Sequence, residues 1–273
     1  MLLKVTEILR MTFSIYGKNW RTILPYIAVV FVPGAVLALL GLGSAYLSTI
    51  LPTTNLLNSI ITVILSFCSW FISFWAMLAL AQAIKDIAEG RPTLPWKQGM
   101  MNIKGSLIPV FWVSFLTSIF VGLWTLLLII PGIIFSVYYV FGAYATLFDG
   151  QRGLAALRYS KQLVKGRWWA IAWRVGVTSI LFGLLVSIII LAFTAPFTIL
   201  ISMNSPEVAA FQEAGRTVST SEVVLTMVVG VMSSLASAFA APLATIAIVL
   251  IYLDVRSKPV PVAEMPTASA SRT

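Results

Sequence analysis

Four long stretches of this sequence contain no charged residue, and they constrain its fold more than any other feature. Their lengths are 63, 44, 32 and 31 positions, and they follow, in order, Arg21, Lys104, Arg174 and Glu222. A helix that crosses the hydrocarbon core of a bilayer needs about 20 predominantly apolar residues. The first two stretches are therefore long enough for two spans each and the last two for one each, which predicts six spans.

Helix-breaking residues mark where each double stretch folds back. Leu51–Asn55 is a polar break that contains a proline, and Pro131–Gly132 lies near the middle of the second stretch. Proline lacks an amide donor and glycine accepts unusual backbone angles, so we expect Pro131–Gly132 to form a tight turn at the bilayer surface. A kink within one long helix is the alternative, but that helix would be about twice as long as a ~30 Å core is thick. The six predicted spans cover approximately residues 22–48, 58–84, 107–129, 132–148, 172–202 and 222–253.

The composition is incompatible with a soluble globular protein. Hydrophobic residues make up 59% of the chain and charged residues only 10%, whereas soluble domains contain about 25% charged residues. We therefore predict an all-α, polytopic membrane protein in three parts: an amphipathic helix over residues 1–21, a membrane domain over 22–256 and a disordered cytoplasmic tail over 257–273. No cleavable signal peptide is expected, because the first span is too long for a signal core.

The basic residues are distributed unevenly between the two sides that alternating spans define. Of the 18 lysines and arginines, 17 lie in the N-terminal segment, in the connections between spans two and three and between spans four and five, or in the tail. Only Arg216 lies on the opposite side. Because lysine and arginine accumulate in cytoplasmic loops, we expect a multi-pass protein of the bacterial cytoplasmic (inner) membrane with both termini in the cytoplasm.

Two segments have the pattern of amphipathic helices at a membrane surface. In the N-terminal segment, apolar residues such as Ile8 and Phe13 fall on one half of a helix and most charged residues on the other. In residues 152–168, a basic stripe runs beside apolar side chains, as suits a surface where acyl chains meet anionic headgroups. The candidate contacts with anionic lipid are Arg158, Lys161, Lys165 and Arg167. The alternative is that these charges serve only to orient the chain.

Three hairpins of spans have similar entries and exits, which suggests a threefold pseudo-repeat. Glycine and a basic residue occur at each entry, and an aspartate follows each exit, at Asp86, Asp149 and Asp254. The alternative is that membrane boundaries share tryptophan, lysine and aspartate anchors without any duplication.

The sequence offers little catalytic chemistry. It contains no histidine and a single cysteine, Cys68, which excludes disulfide frameworks and histidine-based catalytic sites. No catalytic residue, metal site or cofactor is predicted. The uncharged stretches also lack the ionisable groups that ion-coupled carriers need.

Small residues line one side of the last span, and they predict close helix packing or, alternatively, a substrate groove: Gly230, Ser233, Ser234, Ser237, Ala238 and Ala241.

Two segments resemble a known family: Leu128-Ile129-Ile130-Pro131-Gly132-Ile133-Ile134, and Gly153-x-x-Ala156-Leu157-x-x-Ser160-x-x-Leu163-Val164-Lys165-Gly166-x-Trp168. The chain resembles the six-span membrane domain associated with some bacterial glycerophosphoryl diester phosphodiesterases, and the stand-alone relatives of that domain. The resemblance implies that catalysis in such enzymes resides in a separate soluble barrel, which uses histidine, carboxylates and a metal. This chain has no histidine, so no catalytic residue is carried over.

These observations predict a non-enzymatic integral membrane protein that acts as a membrane scaffold or in lipid or envelope processes. Its expected partners are membrane lipids, contacted through the cytoplasmic face. Nucleic-acid binding is not expected, because no folded soluble module presents the basic residues. A homo-oligomer or a membrane-protein partner stays open. The alternative function is that of a transporter or permease subunit for a neutral or amphiphilic substrate.

Overall fold

The structure is a computed structural model, and it describes residues 2–50, 55–204 and 220–258. These residues form α-helices and short connections, and no β-strand occurs among them. The helices are α1 (Val5–Lys18), α2 (Trp20–Ile50), α3 (Asn55–Ala88), α4 (Trp96–Asn102), α5 (Lys104–Leu127), α6 (Ile129–Tyr139), α7 (Gly142–Asp149), α8 (Leu154–Val164), α9 (Trp168–Asn204) and α10 (Thr220–Ser257). Most of the Leu51–Asn55 break, Arg216 and the predicted tail from residue 259 onward lie outside the described residues.

Six segments are long and apolar enough to cross a membrane, which confirms the predicted all-α membrane bundle. They are Trp20–Leu40, Ser59–Ala88, Lys104–Leu127, Ile129–Asp149, Trp168–Leu200 and Val224–Ser257. Helices α3, α9 and α10 contain 34, 37 and 38 residues. At 1.5 Å per residue, each of the three is about 20 Å or more longer than the hydrocarbon core is thick. These three helices therefore extend beyond the hydrocarbon.

The connection between the third and fourth spans differs from the prediction. The only residue between α5 and α6 is Leu128, which is extended (φ −155°, ψ 129°). Pro131 and Gly132 lie in the first turn of α6 instead of forming the turn themselves. Proline is tolerated there because the first amide groups of a helix have no partner within the helix. Gly132 is needed for packing: a Cβ built on it would lie 2.8 Å from Thr125 Cα.

The predicted fourth span is not one continuous helix. It breaks at Val140–Phe141, between α6 and α7. The Ser160 hydroxyl stabilises the break, because it accepts a hydrogen bond from the Phe141 amide (3.2 Å) and donates one to the Tyr138 carbonyl (2.7 Å). Phe141 in the break and Phe148 in α7 both contact the ring of Tyr252, with centroids 5.5 and 5.6 Å away. Helix α7 and the residue before it therefore contact α10 at Tyr252.

The most densely buried part of the bundle lies where α2 and α9 begin and α3 and α10 end, which we call the basic end. Ile23, Ile84 and Leu250 come from three of these helix ends and share one buried cluster. Ile171 of α9 and Val255 of α10 belong to a second cluster. Most of the described side chains of α3 between residues 56 and 67 are, in contrast, exposed. Such exposure is suited to lipid, because lipid tails solvate apolar side chains without protein cover.

Helix α1 packs against α10 and α9 at the basic end. Its predicted amphipathic pattern is confirmed, since Ile8 is buried while Glu7 and Arg10 are exposed. The apolar face was expected to lie on the membrane surface, but part of it packs against protein, since Ile8 is only 1% exposed. Another part faces outward, since Phe13 is 51% exposed. The N-terminal segment is anchored by Asp254, whose carboxylate accepts a hydrogen bond from the Leu3 amide (2.8 Å).

The small residues of α10 mediate helix packing where the structure describes their contacts. A Cβ built on Gly230 would lie 2.9 Å from Ala38 Cβ, and one built on Gly34 would lie 3.2 Å from Ser234 Cβ. Helices α2 and α10 therefore approach closely at these positions, which confirms the packing interpretation for Gly230 and Ser234. Ser237 is exposed.

The three exit aspartates all lie at the basic end, but their partners differ. Asp86 lies 3.2 Å from Arg91 Nη2. Asp149 pairs with Arg256 of α10, and Asp254 pairs with Lys258 in addition to the N-terminal amide. The pseudo-repeat stays an interpretation, because similar positions make dissimilar contacts.

Candidate functional site

Helix α8 presents the basic stripe that the sequence pointed to. It is bounded by two glycines with positive φ, Gly153 (54°) and Gly166 (80°), an angle that residues with a Cβ rarely adopt. Its buried face contains Ala156, Leu157, Ser160, Leu163 and Val164. This face packs against α6 and α7. The opposite face is thereby held outward in a fixed orientation.

Three of the four predicted lipid contacts lie on this outward face or directly after the end of the helix. Arg158, Lys161 and Lys165 are all exposed. Arg158 and Lys161 are three residues apart in α8, a spacing that places them next to each other on one side of the helix, and Lys165 is the first residue after the helix ends. The Lys161 ammonium lies 5.7 Å from the ring centroid of Tyr138 in α6, a cation–π contact. We call Arg158, Lys161 and Lys165 the basic ridge.

The fourth predicted residue, Arg167, has a different environment. Its guanidinium donates hydrogen bonds to the carbonyls of Val255 (3.3 Å) and Lys258 (3.0 Å) at the end of α10, and to Leu163 (3.1 Å) in α8. Carbonyls at a helix C-terminus have no partner within the helix, and a cation there also interacts favourably with the helix dipole. Arg167 therefore joins α8 to α10, and its donors point to protein.

An apolar groove lies beside the basic ridge. It has a volume of about 540 Å³ and is lined by Ile130, Ile133, Ile134, Tyr138, Trp168 and Trp169. The Trp168 indole donates a hydrogen bond to the Ile134 carbonyl (3.2 Å), which fixes one wall. The Trp169 ring stands edge-on to it, with centroids 4.7 Å apart. Sequence reasoning did not identify this groove, because its walls come from segments that are more than 25 residues apart.

A second polar cluster lies where side chains of α7 and α10 meet. The Asp149 carboxylate accepts a hydrogen bond from the Tyr252 hydroxyl, and its other oxygen lies 2.7 Å from Arg256 Nη2. The Lys85 ammonium donates to the Phe148 carbonyl (3.4 Å) and lies 4.8 Å from the Phe148 ring centroid. These contacts connect α3, α7 and α10 to one another, so the cluster has a clear structural role.

Tyr159 of α8 borders this cluster. Burial raises the pKa of its hydroxyl above the ordinary value, and the negative charge of Asp149 raises it further. The positive charge of Arg256 acts in the opposite direction and is the smaller effect. The Tyr159 hydroxyl is therefore held in its protonated form.

Metal-ligating side chains do not cluster in the part of the chain that the structure describes. No group of three or more histidine, cysteine, aspartate or glutamate residues that could hold a metal ion occurs there. Comparisons of the chain with protein-family models, curated proteins and solved structures found no match. The resemblance to the six-span membrane domain stays a prediction.

Proposed function

We propose that this membrane protein is a non-enzymatic scaffold or lipid- or envelope-associated protein whose basic end contacts anionic lipid. The observation that carries the proposal is the basic ridge of Arg158, Lys161 and Lys165, which is exposed next to the tryptophans at the start of α9. Tryptophan is enriched at the level of the headgroups. The basic ridge therefore lies where lipid phosphates are expected.

The proposed orientation places the basic end in the bacterial cytoplasm. Its support is the charge distribution: 17 of 18 basic residues belong to segments on this side of the predicted spans, and positive residues favour the cytoplasmic side. Anionic lipid attracts each lysine or arginine near the surface by about 1 kcal/mol. Three ridge residues would then contribute about 3 kcal/mol, or more than a hundredfold in affinity.

The resemblance described above supports the same proposal. In the enzymes that the chain resembles, catalysis is expected to lie outside the membrane domain, so the resemblance implies a role in the membrane for these spans. The absence of histidine from the chain fits a non-enzymatic function. The transporter alternative draws less support, because Gly230 and Ser234 of the small-residue stripe are used in packing against α2.

The proposal is tested by reconstituting the protein into nanodiscs that contain equal amounts of phosphatidylglycerol and phosphatidylcholine. Native mass spectrometry then measures which lipid stays bound. We expect a preference for phosphatidylglycerol that falls by about 30-fold or more in the double variant Lys161→Glu, Lys165→Glu, because two favourable charges of about 1 kcal/mol each are removed.

The matched control is the double variant Lys97→Glu, Lys104→Glu. Both lysines are also exposed, and both lie in the predicted cytoplasmic connection between spans two and three, so the net charge changes equally on the same side. Screening limits their influence to about 8 Å at physiological salt, and we expect the lipid preference to change by less than about threefold. An equal loss in both variants would mean that the charges act only through the overall field, and the proposal would fail.

A further inference from the structure

The groove beside the basic ridge has walls that are held in place before any ligand arrives. The Trp168 indole is fixed by its hydrogen bond to Ile134, and Tyr138 lies beneath the Lys161 ammonium. The volume of about 540 Å³ is within the range of about 300–1,000 Å³ that is typical of small-molecule sites. The groove therefore has the volume of a small-molecule site, and it is open along the side where Ile130, Ile133 and Trp169 are exposed.

Exposed tryptophans in and next to the groove indicate at which depth in the membrane it lies. Trp169 is 80% exposed and Trp173, one turn further along α9, is 68% exposed. Exposed tryptophans on a spanning helix are typical of the boundary between headgroups and hydrocarbon. The isoleucines of the groove are also exposed, Ile130 at 72% and Ile133 at 55%, and offer apolar surface at this boundary.

The charge next to the groove selects its occupant. Lys161 lies over a residue of the groove wall, and Lys165 is three residues from Trp168 in the chain. A helix of a partner protein would need no cation at this position, whereas an anionic lipid places a phosphate directly next to its acyl chains. Apolar walls beside exposed ammonium groups match that arrangement in both parts.

We propose that the groove between α6 and the start of α9 binds one anionic glycerolipid, with an acyl chain along Ile133, Ile134 and Trp168 and the phosphate at Lys161 and Lys165. This inference rests on the proposed function for the class of ligand. It adds a defined site and a stoichiometry of one lipid per chain. A soluble headgroup such as glycerol phosphate would lack the acyl chain and would not displace the lipid.

The test uses the full chain in detergent with added dioleoyl phosphatidylglycerol, and native mass spectrometry counts the lipids retained. We expect one retained lipid, bound at least tenfold more weakly by Ile133→Trp, because the larger side chain fills the groove. The control Leu123→Trp adds the same bulk at an exposed position of the same hairpin (53% exposed), outside the groove. It should retain the lipid as the parent chain does.

A second pair of variants removes bulk instead of adding it. Trp169→Ala deletes a wall of the groove, and Trp173→Ala deletes an equally large interfacial side chain outside it. We expect at least a tenfold weaker retention for Trp169→Ala and no more than a small change for Trp173→Ala. Folding of every variant is checked by its elution as a single species and by its thermal unfolding.

The outcomes separate this inference from the proposed function. If Ile133→Trp and Trp169→Ala retain the lipid while Lys161→Glu, Lys165→Glu loses it, the groove is not the site, and the proposed function stands. If phosphatidylcholine is retained as well as phosphatidylglycerol in the parent chain, the lysines do not select for a net negative headgroup, and both proposals fail. Displacement of the lipid by glycerol 1-phosphate would also overturn the groove, since it would show that the acyl chain contributes nothing.

Discussion

Gly132 is the position at which the smallest change should have the clearest effect on the fold. A Cβ built there would lie 2.1 Å from Thr125 Oγ1 and 2.8 Å from both Thr125 Cα and Cβ. Rotation of the threonine hydroxyl can relieve the first contact only. The other two involve the backbone of α5 and the atom attached to it, so Gly132→Ala must push α5 and α6 apart.

The expected cost is estimated from two opposing effects. Alanine in place of glycine inside a helix contributes a stabilisation of about 1 kcal/mol, and overpacking of a closely packed contact costs about 1–3 kcal/mol. Because Thr125 Cα cannot move without its helix, we expect the upper part of that range and a net loss of about 1–2 kcal/mol. The midpoint of thermal unfolding in detergent should then fall by about 2–8 °C.

Gly122→Ala is the matched control, because no atom lies within 4 Å of a Cβ at this position in α5. It should leave stability unchanged or increase it by up to about 1 kcal/mol. The double variant Thr125→Gly, Gly132→Ala should lose less than the sum of the two single variants, since the pair shares one contact. If Gly132→Ala were as stable as Gly122→Ala, the close approach of α5 and α6 would be refuted.

Two further predictions concern the basic end. Asp254→Ala should accelerate amide exchange across residues 2–18 by about tenfold or more, because a hydrogen bond to a charged group is lost. The control Asp86→Ala should leave the exchange rates of these residues unchanged. Equal rates in both variants would contradict the anchoring of Leu3. The pKa of Tyr159 is raised by burial and by Asp149, so the unfolded chain deprotonates first, and stability should fall as the pH rises above about 10. Chemical unfolding at several pH values should show a shallower fall for Tyr159→Phe, and an unchanged slope would refute the assignment.

The span count could be predicted because it depends on a simple property of the solvent. Hydrocarbon does not accept charge, so the uncharged stretches that follow Arg21, Lys104, Arg174 and Glu222 had to be where the chain crosses. The helix ends were less predictable. Helices α3 and α10 continue to Ala88 and Ser257, beyond the last apolar residue of each predicted span, because they pack against other helices at the basic end.

The fourth span shows where sequence reasoning is insufficient. Pro131–Gly132 predicted a turn, yet proline and glycine are also compatible with the first turn of a helix, and only packing against Thr125 distinguishes the two cases. The break at Val140–Phe141 contains neither residue. The hydrogen bonds made there by the Ser160 hydroxyl come from a different helix, and no local sequence pattern indicates them.

The sequence predicts the positive charge of the candidate site but not the shape of the groove beside it. The spacing of Arg158 and Lys161 was sufficient to place them on one exposed face of α8, and Lys165 is exposed directly after the helix ends. Arg167 belongs to the same basic run, and its contacts with the end of α10 depend on how two distant segments meet. The groove likewise forms where α6 and α9 meet. Hydrophobic periodicity describes one helix at a time and does not predict which helices meet.

The anchoring of the N-terminal segment has a consequence for biosynthesis. Leu3 is bound by Asp254, which is 251 positions later in the chain, and Arg174 donates hydrogen bonds to the carbonyls of Leu2 and Leu3. Leu3 can therefore make its hydrogen bond to Asp254 only after 251 further residues have been synthesised. The amphipathic sequence of α1 is suited to the bilayer surface during that interval.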